Sequence, residues 1–416
     1  MTRPASEMQV WLDADFAGEL QWVGILQHDR GQLRFSYRDD WLKNPVAFAL
    51  DPDLTLDKAP FFPKPEAGNF GVFLDSSPDR WGQVLMQRRE ALEAKDENRK
   101  PRSLYAWEFL LGVQDETRQG ALRFRVDENS AFLGAHGLAA PPVARLRDLE
   151  AIAIELSAKK IDNLDKLRKW LAVLVAPGAS LGGARPKANF RDQDGSLWIA
   201  KFPSRDDIRD IGAWEGLLHN LAEQAGIDVP TANVKRFGSV FHTFCAKRFD
   251  RQSGRRRFYT SAMTALRKAD GENGSYLELA EFLQKNGAKG HIADDLAQLF
   301  RRVVFNVAAG NRDDHLRNHG FILTPRGWRL APAFDMNPSI DKAEHILALD
   351  DGDRHPDFDT VLSTAPLYGL GSQAAAKIVK DVCQVVMTWQ SLATKHGIAR
   401  ADIELLAGAF SASTGG

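Results

Sequence analysis

The segment from Asn311 to Ser339 contains the residue types that phosphoryl transfer requires. Asp313 is followed five positions later by Asn318, and Asp335 comes after a predicted hairpin. Protein kinases use this order: a catalytic-loop aspartate accepts the proton of the substrate hydroxyl, and the asparagine and the second aspartate bind metal. The two carboxylates must be separate, because one lies beside the nucleophile and the other holds the Mg²⁺ that bridges the phosphates. The spacing therefore predicts Asp313 as the catalytic residue, with Asn318 and Asp335 as metal ligands.

Two neighbours of Asp313 leave alternatives open. Asp314 is also acidic, but it lies four positions before Asn318, so the kinase spacing favours Asp313. His315 has no second histidine at metal-ligand spacing on a helix, and we expect it to order the loop or to contact a nucleotide. Each acidic residue taken alone is more often a helix terminus or a turn residue. Their combination at this spacing favours function.

A glycine-rich turn upstream forms a second group of candidates. Gly178, Gly182 and Gly183 precede a predicted strand, and Lys201 lies on the next strand. Glycines let backbone N–H groups approach phosphate oxygens, and a lysine supplies a positive charge. The chain lacks the GxxxxGK[ST] motif of Walker loops and the GxGxxG motif of dinucleotide folds, which disfavours both classes. The pattern predicts a phosphate-binding turn, although alone it also fits a flexible turn followed by a solvated strand end.

Four further residues belong to this group. Ser180 lies inside the turn, where its hydroxyl either approaches bound phosphates or simply forms the turn. Arg185 and Lys187 add positive charge, either for phosphate or as a soluble rim. Glu215, on the following predicted helix, is either the ion-pair partner of Lys201, as in kinases, or part of a solvated helix face.

Periodicity and turn signals predict the elements that position these residues. A strong apolar stripe predicts a helix that contains residues 292–307 and ends at Gly310, directly before the Asp313 loop. A linker rich in glycine and proline spans residues 134–143. The remaining strands are predicted at residues 8–13, 21–28, 32–37, 121–126, 196–202, 231–237, 240–249, 320–324 and 328–333, and the remaining helices at 79–94, 103–111, 146–157, 164–175 and 207–225.

Composition restricts the class of protein. The 416 residues, 44% hydrophobic and 26% charged, suffice for two or three domains with a sizeable core. The formal charge of −1 excludes broad electrostatic attraction to DNA or acidic membranes. The two cysteines, Cys245 and Cys383, exclude a disulfide scaffold and a cysteine-based zinc site. No apolar run approaches a membrane span, and we expect a cytoplasmic protein.

These motifs resemble those of the HipA family, the serine/threonine kinase toxins of bacterial toxin-antitoxin pairs. The resemblance also reaches the N-terminal third, at residues 23–42 and in Leu-Asp-Ser-Ser-Pro-Asp-Arg-Trp at 74–81, so it covers nearly the whole chain. The motifs that carry it occur in the family's order at Ser180–Lys187, Ala200–Pro203, Lys247–Arg251, Asp313–Asn318 and Phe334–Asp335.

The resemblance implies a role for each matching residue. Asp313 would be catalytic, and Asn318 and Asp335 would hold Mg²⁺. Ser180 matches the serine that family members phosphorylate on themselves, which is associated with ejection of the loop and inactivation. The residues implied in ATP binding are those of the phosphate loop, Gly182, Gly183, Ala184, Arg185, Pro186 and Lys187; the phosphate-contacting Lys201; the hinge, Lys247, Arg248 and Phe249; and His315, Asn318 and Phe334.

The resemblance also implies partners. Family members phosphorylate a serine of an aminoacyl-tRNA synthetase, notably the glutamyl enzyme, and so halt translation. A small helix-turn-helix antitoxin of the HipB type neutralises them and binds operator DNA. A chain whose net charge is close to zero would then reach operator DNA only through that antitoxin.

The predicted fold class is α/β (α+β), with a β-rich N-terminal subdomain followed by a bilobal, protein-kinase-like core whose large C-terminal lobe is helical. The predicted domains are residues 1–140, a small lobe at 141–250 and a large lobe at 251–416. The predicted activity is transfer of the ATP γ-phosphate to a protein serine, with Mg²⁺. Two alternatives remain: a non-catalytic module that binds ATP and antitoxin and acts as a co-repressor, and a small-molecule phosphotransferase.

Overall fold

The computed structural model describes residues 6–134, 140–157 and 185–414, the last four of these by backbone alone. The chain divides into two compact units. Unit 1 comprises residues 1–205 and 250–260, and unit 2 comprises residues 206–249 and 261–416. Among the described residues, no helix combines the length and the apolar character needed to cross a membrane. The domain boundaries near residues 140 and 250 remain predictions.

Unit 1 begins with an antiparallel sheet in the strand order β3-β2-β1-β4. Its second hairpin turns at Arg30 and Gly31, which have φ values of 48° and 86°, as a tight two-residue turn requires. Alternate side chains of the sheet, among them Val10, Leu26 and Phe35, are completely buried. The strands are β1 (Glu7–Leu12), β2 (Gln21–Asp29), β3 (Gln32–Tyr37) and β4 (Leu122–Arg125).

Helices and a second strand pair complete the larger segment of unit 1. The Asp79 carboxylate caps one helix by accepting a hydrogen bond from the Gly82 N–H. Strands β5 and β6 are antiparallel, with Lys187 directly opposite Lys201. The elements are α1 (Asp39–Leu42), α2 (Gly71–Asp75), α3 (Arg80–Asp96), α4 (Ala106–Leu111), α5 (Leu146–Ser157), β5 (Lys187–Arg191) and β6 (Leu197–Lys201).

The chain returns to unit 1 at residues 250–260, where short strands Arg251–Gln252 and Arg255–Arg256 pair. The Arg251 guanidinium donates to the Arg118 carbonyl at 2.7 Å and to the Asp250 carboxylate at 2.7 Å. The same carboxylate accepts from the Gly120 N–H at 2.9 Å. Partly buried charge-assisted hydrogen bonds therefore hold this returning segment against residues near β4.

Unit 2 is mainly helical. Its core surrounds α9, whose apolar stripe includes the fully buried Leu299, Phe300 and Val304. The elements are α6 (Ile211–Gln224), β7 (Ala232–Lys235), β8 (Thr243–Lys247), α7 (Ala262–Ala265), α8 (Tyr276–Asn286), α9 (Ile292–Ala308), β9 (Gly320–Thr324), β10 (Gly327–Leu330), α10 (Phe358–Ser363), α11 (Ser372–Val386), α12 (Trp389–Lys395) and α13 (Arg400–Leu406), and the short strand Tyr259–Ser261 spans the change of unit.

These elements confirm the predicted α+β class, with a β-rich N-terminal part and a helical C-terminal part. The predicted strands at residues 8–13, 21–28 and 32–37 and the helix ending at Gly310 lie within one or two residues of the observed elements. The helix predicted at residues 164–175 lies outside the described residues.

Candidate active site

The loop that carries the candidate catalytic residues begins where α9 ends. Gly310 follows the helix with a φ of 64°, in the left-handed region that glycine adopts without a steric penalty. A Cβ at this position would clash with the carbonyl oxygen of Ala409, so backbone packing also requires glycine. Residues 311–319 then form the loop, which ends at the antiparallel hairpin of β9 and β10. Asp335 follows that hairpin, as predicted.

The adjacent aspartates Asp313 and Asp314 have opposite environments. The Asp313 side chain is 61% exposed, and its Oδ1 lies 2.7 Å from the Nζ of Lys342. Asp314 is 3% exposed, and its Oδ2 accepts three hydrogen bonds. An exposed carboxylate can receive a substrate hydroxyl, whereas the internal hydrogen bonds hold the buried one. This contrast supports the choice of Asp313 that the spacing favoured, and the catalytic role itself remains a prediction.

A buried polar network holds Asp314. Its Oδ2 accepts from the Tyr276 hydroxyl at 2.7 Å, from the Asn306 amide at 2.8 Å and from the His319 Nε2 at 2.7 Å. The Asn311 amide in turn donates to the Asn306 Oδ1 at 2.9 Å. Tyr276 on α8 and Asn306 on α9 thus anchor the loop through their hydrogen bonds to Asp314. Buried and satisfied networks of this kind give a segment one defined conformation.

Electrostatics within the network favour an ionised Asp314. Burial raises the pKa of Asp314, but the electrostatic interaction and hydrogen bond with His319, followed by the hydrogen bond from Tyr276, outweigh burial and lower it overall. The pKa of Tyr276 is raised well above its usual value by burial and by the nearby Asp314 carboxylate. Tyr276 therefore remains a hydrogen-bond donor to a carboxylate anion.

The two predicted metal ligands have features that suit a hard cation. Asn318 is only 5% exposed. Its Oδ1 is buried but accepts no hydrogen bond from the described residues. An unsatisfied buried oxygen is costly unless a ligand completes it. Asp335 has a φ of 62°, a conformation that few non-glycine residues adopt and that clusters at functional sites. An amide oxygen and a carboxylate fit Mg²⁺, which binds few protein ligands besides phosphates.

The predicted hinge meets the Asp335 segment inside unit 2. The rings of Phe249 and Phe334 pack with centroids 5.5 Å apart. The Lys247 N–H donates to the Thr231 carbonyl at 2.8 Å, and Arg248 is 3% exposed. The structure thus brings the end of the hinge beside the residue that precedes Asp335.

The basic residues of the predicted phosphate site lie on β5 and β6 of unit 1. Lys201 is 9% exposed, so it is not a solvated strand end. Lys187 is more deeply buried, and its Nζ lies 2.6 Å from the Oδ2 of Asp79. Arg185 is partly exposed, and the Pro186 carbonyl accepts from the N–H of Phe202, which extends the β5–β6 pairing toward the loop.

Five predicted residues of the glycine-rich turn lie outside the described residues: Gly178, Ser180, Gly182, Gly183 and Ala184. Glu215 is 3% exposed on α6, which excludes the solvated-face interpretation. Its proposed partner Lys201 belongs to the other compact unit, and the pairing remains a prediction. His315 is partly exposed beside Asp314 in the same loop.

Sequence reasoning did not identify several residues that support the site. Asp79 lies in the N-terminal motif at 74–81, where its acidic character was the available signal. Tyr276 and Asn306 gave no local signal, because each lies in a helix and reaches Asp314 only through tertiary packing. Lys342 follows Asp335 by seven positions, and the neighbouring sequence contains no motif that marks it as functional.

The α+β fold and the kinase-like order of loop, hairpin and aspartate indicate a kinase-like protein. Comparison with known families identifies the family. A family model of the HipA-like C-terminal domain matches residues 179–389, and a family model of the HipA N-terminal domain matches residues 8–125. The chain therefore belongs to the HipA family.

Individual relatives are distant. A putative kinase of Haemophilus influenzae is 26% identical over 181 residues, which cover 38% of this chain and 52% of the relative. The serine/threonine-protein kinase toxin HipA of Shewanella oneidensis is 25% identical over 212 residues, which cover 42% of this chain and 47% of the relative. The matches thus span about half the length of these curated relatives.

A solved structure shares the fold over nearly the whole chain. It is the complex of Shewanella oneidensis HipA, HipB and operator DNA, with a TM-score of 0.66, 17% identity and coverage of 98% of this chain and 95% of that chain. At this identity the match establishes the fold alone.

Proposed function

We propose that this protein is an ATP-dependent serine/threonine-protein kinase that transfers the γ-phosphate to a protein serine. The observation that carries the proposal is the contrast within one anchored loop. Asp313 presents an exposed carboxylate, and five positions later Asn318 holds a buried oxygen that accepts no hydrogen bond within the described part of the chain. Phosphoryl transfer depends on positioning and charge stabilisation, which a rigid loop of this kind supplies.

Each residue has a defined task in this mechanism. Asp313 orients the substrate hydroxyl and accepts its proton as the oxygen attacks phosphorus. Asn318 and Asp335 would hold Mg²⁺, which supplies positive charge against the phosphate oxygens. Lys201 contacts the phosphates from β6. Asp314 touches no substrate; it holds the backbone on which Asp313 is mounted.

Further contacts to the nucleotide are proposed for residues assigned by the family resemblance. Lys247, Arg248 and Phe249 would meet the adenine, largely through backbone groups. Phe334 and His315 would contact the nucleotide near the metal. The loop from Gly182 to Lys187 would cover the phosphates. Lys187 would form part of this cover without supplying its charge to the phosphates, because its ammonium group forms an ion pair with Asp79.

The biological role is proposed from the family. Its members act as toxins, and the fold neighbour is a complex with HipB and operator DNA. We propose a HipB-type helix-turn-helix antitoxin as the partner, with operator DNA bound through it, which suits a formal charge of −1. An aminoacyl-tRNA synthetase is the proposed substrate in a cytoplasmic setting, and Ser180 is the proposed site of autophosphorylation.

Intact mass and peptide mapping after incubation with Mg-ATP test the proposal. The wild type is expected to gain phosphate on Ser180, and Asp313→Ala is expected to gain none while still binding ATP. Asp381→Ala is the matched control, since Asp381 is also an exposed aspartate paired with a lysine. If the wild type binds ATP but gains no phosphate and modifies no protein, the kinase proposal is wrong, and the non-catalytic binding module or a small-molecule phosphotransferase replaces it.

A further inference from the structure

The chain returns to the catalytic loop after Asp335 and is fastened there. The Ser339 N–H donates to the Gly310 carbonyl at 2.9 Å, and the Ile346 N–H donates to the Arg312 carbonyl at 3.1 Å. Between these two points, the Arg312 guanidinium donates to the Lys342 carbonyl at 2.6 Å. Three hydrogen bonds therefore fix residues 339–346 along residues 310–312.

This attachment determines where the Lys342 side chain can reach. Its Nζ lies 2.7 Å from the Oδ1 of Asp313, with the lysine side chain 41% exposed and the aspartate 61% exposed. An ion pair this exposed contributes little to stability, so folding alone gives no reason for it. What distinguishes the pair is its position, because one member is the carboxylate proposed to receive the substrate hydroxyl.

We propose that Lys342 is a further catalytic residue, whose ammonium group binds the phosphoryl group during its transfer. This inference rests on the proposed kinase function. A hydroxyl held by Asp313 attacks phosphorus from about 3–3.5 Å, so a cation in contact with Asp313 is adjacent to the transferred group. The charge of that group spreads over three equatorial oxygens, which a lysine can stabilise as a point charge.

The bonds and protons of the transfer step are fully accounted for without any chemical change at Lys342. The serine oxygen forms a bond to the γ-phosphorus, and the bond from that phosphorus to the β-γ bridging oxygen breaks with its electron pair, leaving ADP. The serine proton passes to the Asp313 carboxylate. Lys342 keeps its proton throughout and moves from contact with Asp313 alone to contact with a phosphoryl oxygen as well.

Nucleotide binding separates this role from a structural one. The full-length protein is titrated with Mg-ADP alone and with Mg-ADP plus aluminium fluoride, which mimics the phosphoryl group in transfer. We expect Lys342→Met to bind Mg-ADP within about 2-fold of the wild type. It should bind the aluminium fluoride complex about 10-fold to 100-fold more weakly, the usual range for one charged hydrogen bond. Lys342→Arg should recover part of the loss.

Lys377→Met is the matched control. Lys377 is also an exposed lysine, 2.6 Å from an exposed aspartate, Asp381, within the regular helix α11. We expect it to match the wild type with both ligands, and thermal unfolding should show that both methionine variants fold.

The outcomes are distinguishable. If the wild type distinguishes the two ligands and Lys342→Met behaves in the same way, Lys342 does not contact the transferred group. If Lys342→Met transfers phosphate as fast as the wild type or faster, Lys342 is not catalytic, and a faster rate would make the pair with Asp313 an inhibitory contact. A wild type that binds neither ligand overturns the kinase proposal itself.

Discussion

Lys187 and Asp79 form an ion pair at 2.6 Å in which the side chains are only 1% and 4% exposed. Asp79 lies in the part of the chain matched by the HipA N-terminal domain, and Lys187 lies in the part matched by the C-terminal domain. Lys187 also stands directly opposite Lys201 across the β5–β6 pair. Two facing lysines repel each other, and the Asp79 carboxylate offsets the charge of Lys187, while Lys201 is the lysine proposed to contact phosphate.

Breaking this pair should destabilise unit 1. Asp79→Asn removes the carboxylate charge that pairs with the buried ammonium group of Lys187, and we expect a loss of about 3–5 kcal/mol in the free energy of unfolding. The double variant Asp79→Asn with Lys187→Met removes both charges and should recover more than half of that loss. Urea unfolding measures both. Asp148→Asn, which breaks the exposed pair with Arg145, should change stability by less than about 0.5 kcal/mol.

Equal stabilities of the single and double variants would contradict this account. Such a result would mean that Lys187 finds other partners when Asp79 is replaced, and that the repulsion between the facing lysines is not what Asp79 offsets.

The adjacent aspartates should respond oppositely to the same substitution. Asp313→Asn should lower the rate of phosphate transfer by about 10²-fold to 10⁴-fold and leave stability within about 0.5 kcal/mol, because its side chain is exposed. Asp314→Asn should cost about 3 kcal/mol, because it replaces a buried carboxylate that accepts three hydrogen bonds. Radiolabel transfer and urea unfolding, measured on both variants, give the two readouts. A stable Asp314→Asn that has lost all transfer, beside an active Asp313→Asn, would reverse the assignment.

Metal affinity should depend on Asn318. Replacing it with alanine removes the buried Oδ1, which accepts no hydrogen bond from the residues that the structure describes, and we expect about a 10-fold to 100-fold weaker affinity for Mn²⁺ in the presence of ADP. Asn318→Asp should retain metal binding because it keeps an oxygen at the same position. Electron paramagnetic resonance of free Mn²⁺ gives the affinity. An Asn318→Ala variant with wild-type affinity would remove this residue from the metal site.

The sequence was sufficient to predict elements whose signals are local. The apolar stripe of α9 and the glycine at 310 predicted where the Asp313 loop begins. The chemistry inferred from the spacing of Asp313 and Asn318 stays a prediction. The support beneath the loop could not be predicted in this way. Tyr276 lies 38 residues from Asp314 and Asp79 lies 108 residues from Lys187, and both contacts exist only because distant elements pack together.

Acid should destabilise unit 2 through His345, which lies beside the catalytic loop. The residue is 2% exposed, and burial lowers its pKa from 6.5 to about 4, with Asp314 opposing this change and Arg312 adding to it. Between these two pH values the unfolded chain binds a proton that the folded chain does not, so stability falls as the pH falls from about 6.5 to about 4. The difference of about 2.5 pH units corresponds to about 3 kcal/mol.

Urea unfolding from pH 7.5 to 4.5 should therefore show a smaller pH dependence for His345→Leu than for the wild type. His355→Leu, which replaces an exposed histidine, should keep the wild-type slope. Burial also lowers the pKa of His219. The difference between the two variants therefore isolates His345, and identical slopes would mean that His345 binds its proton equally well in both states.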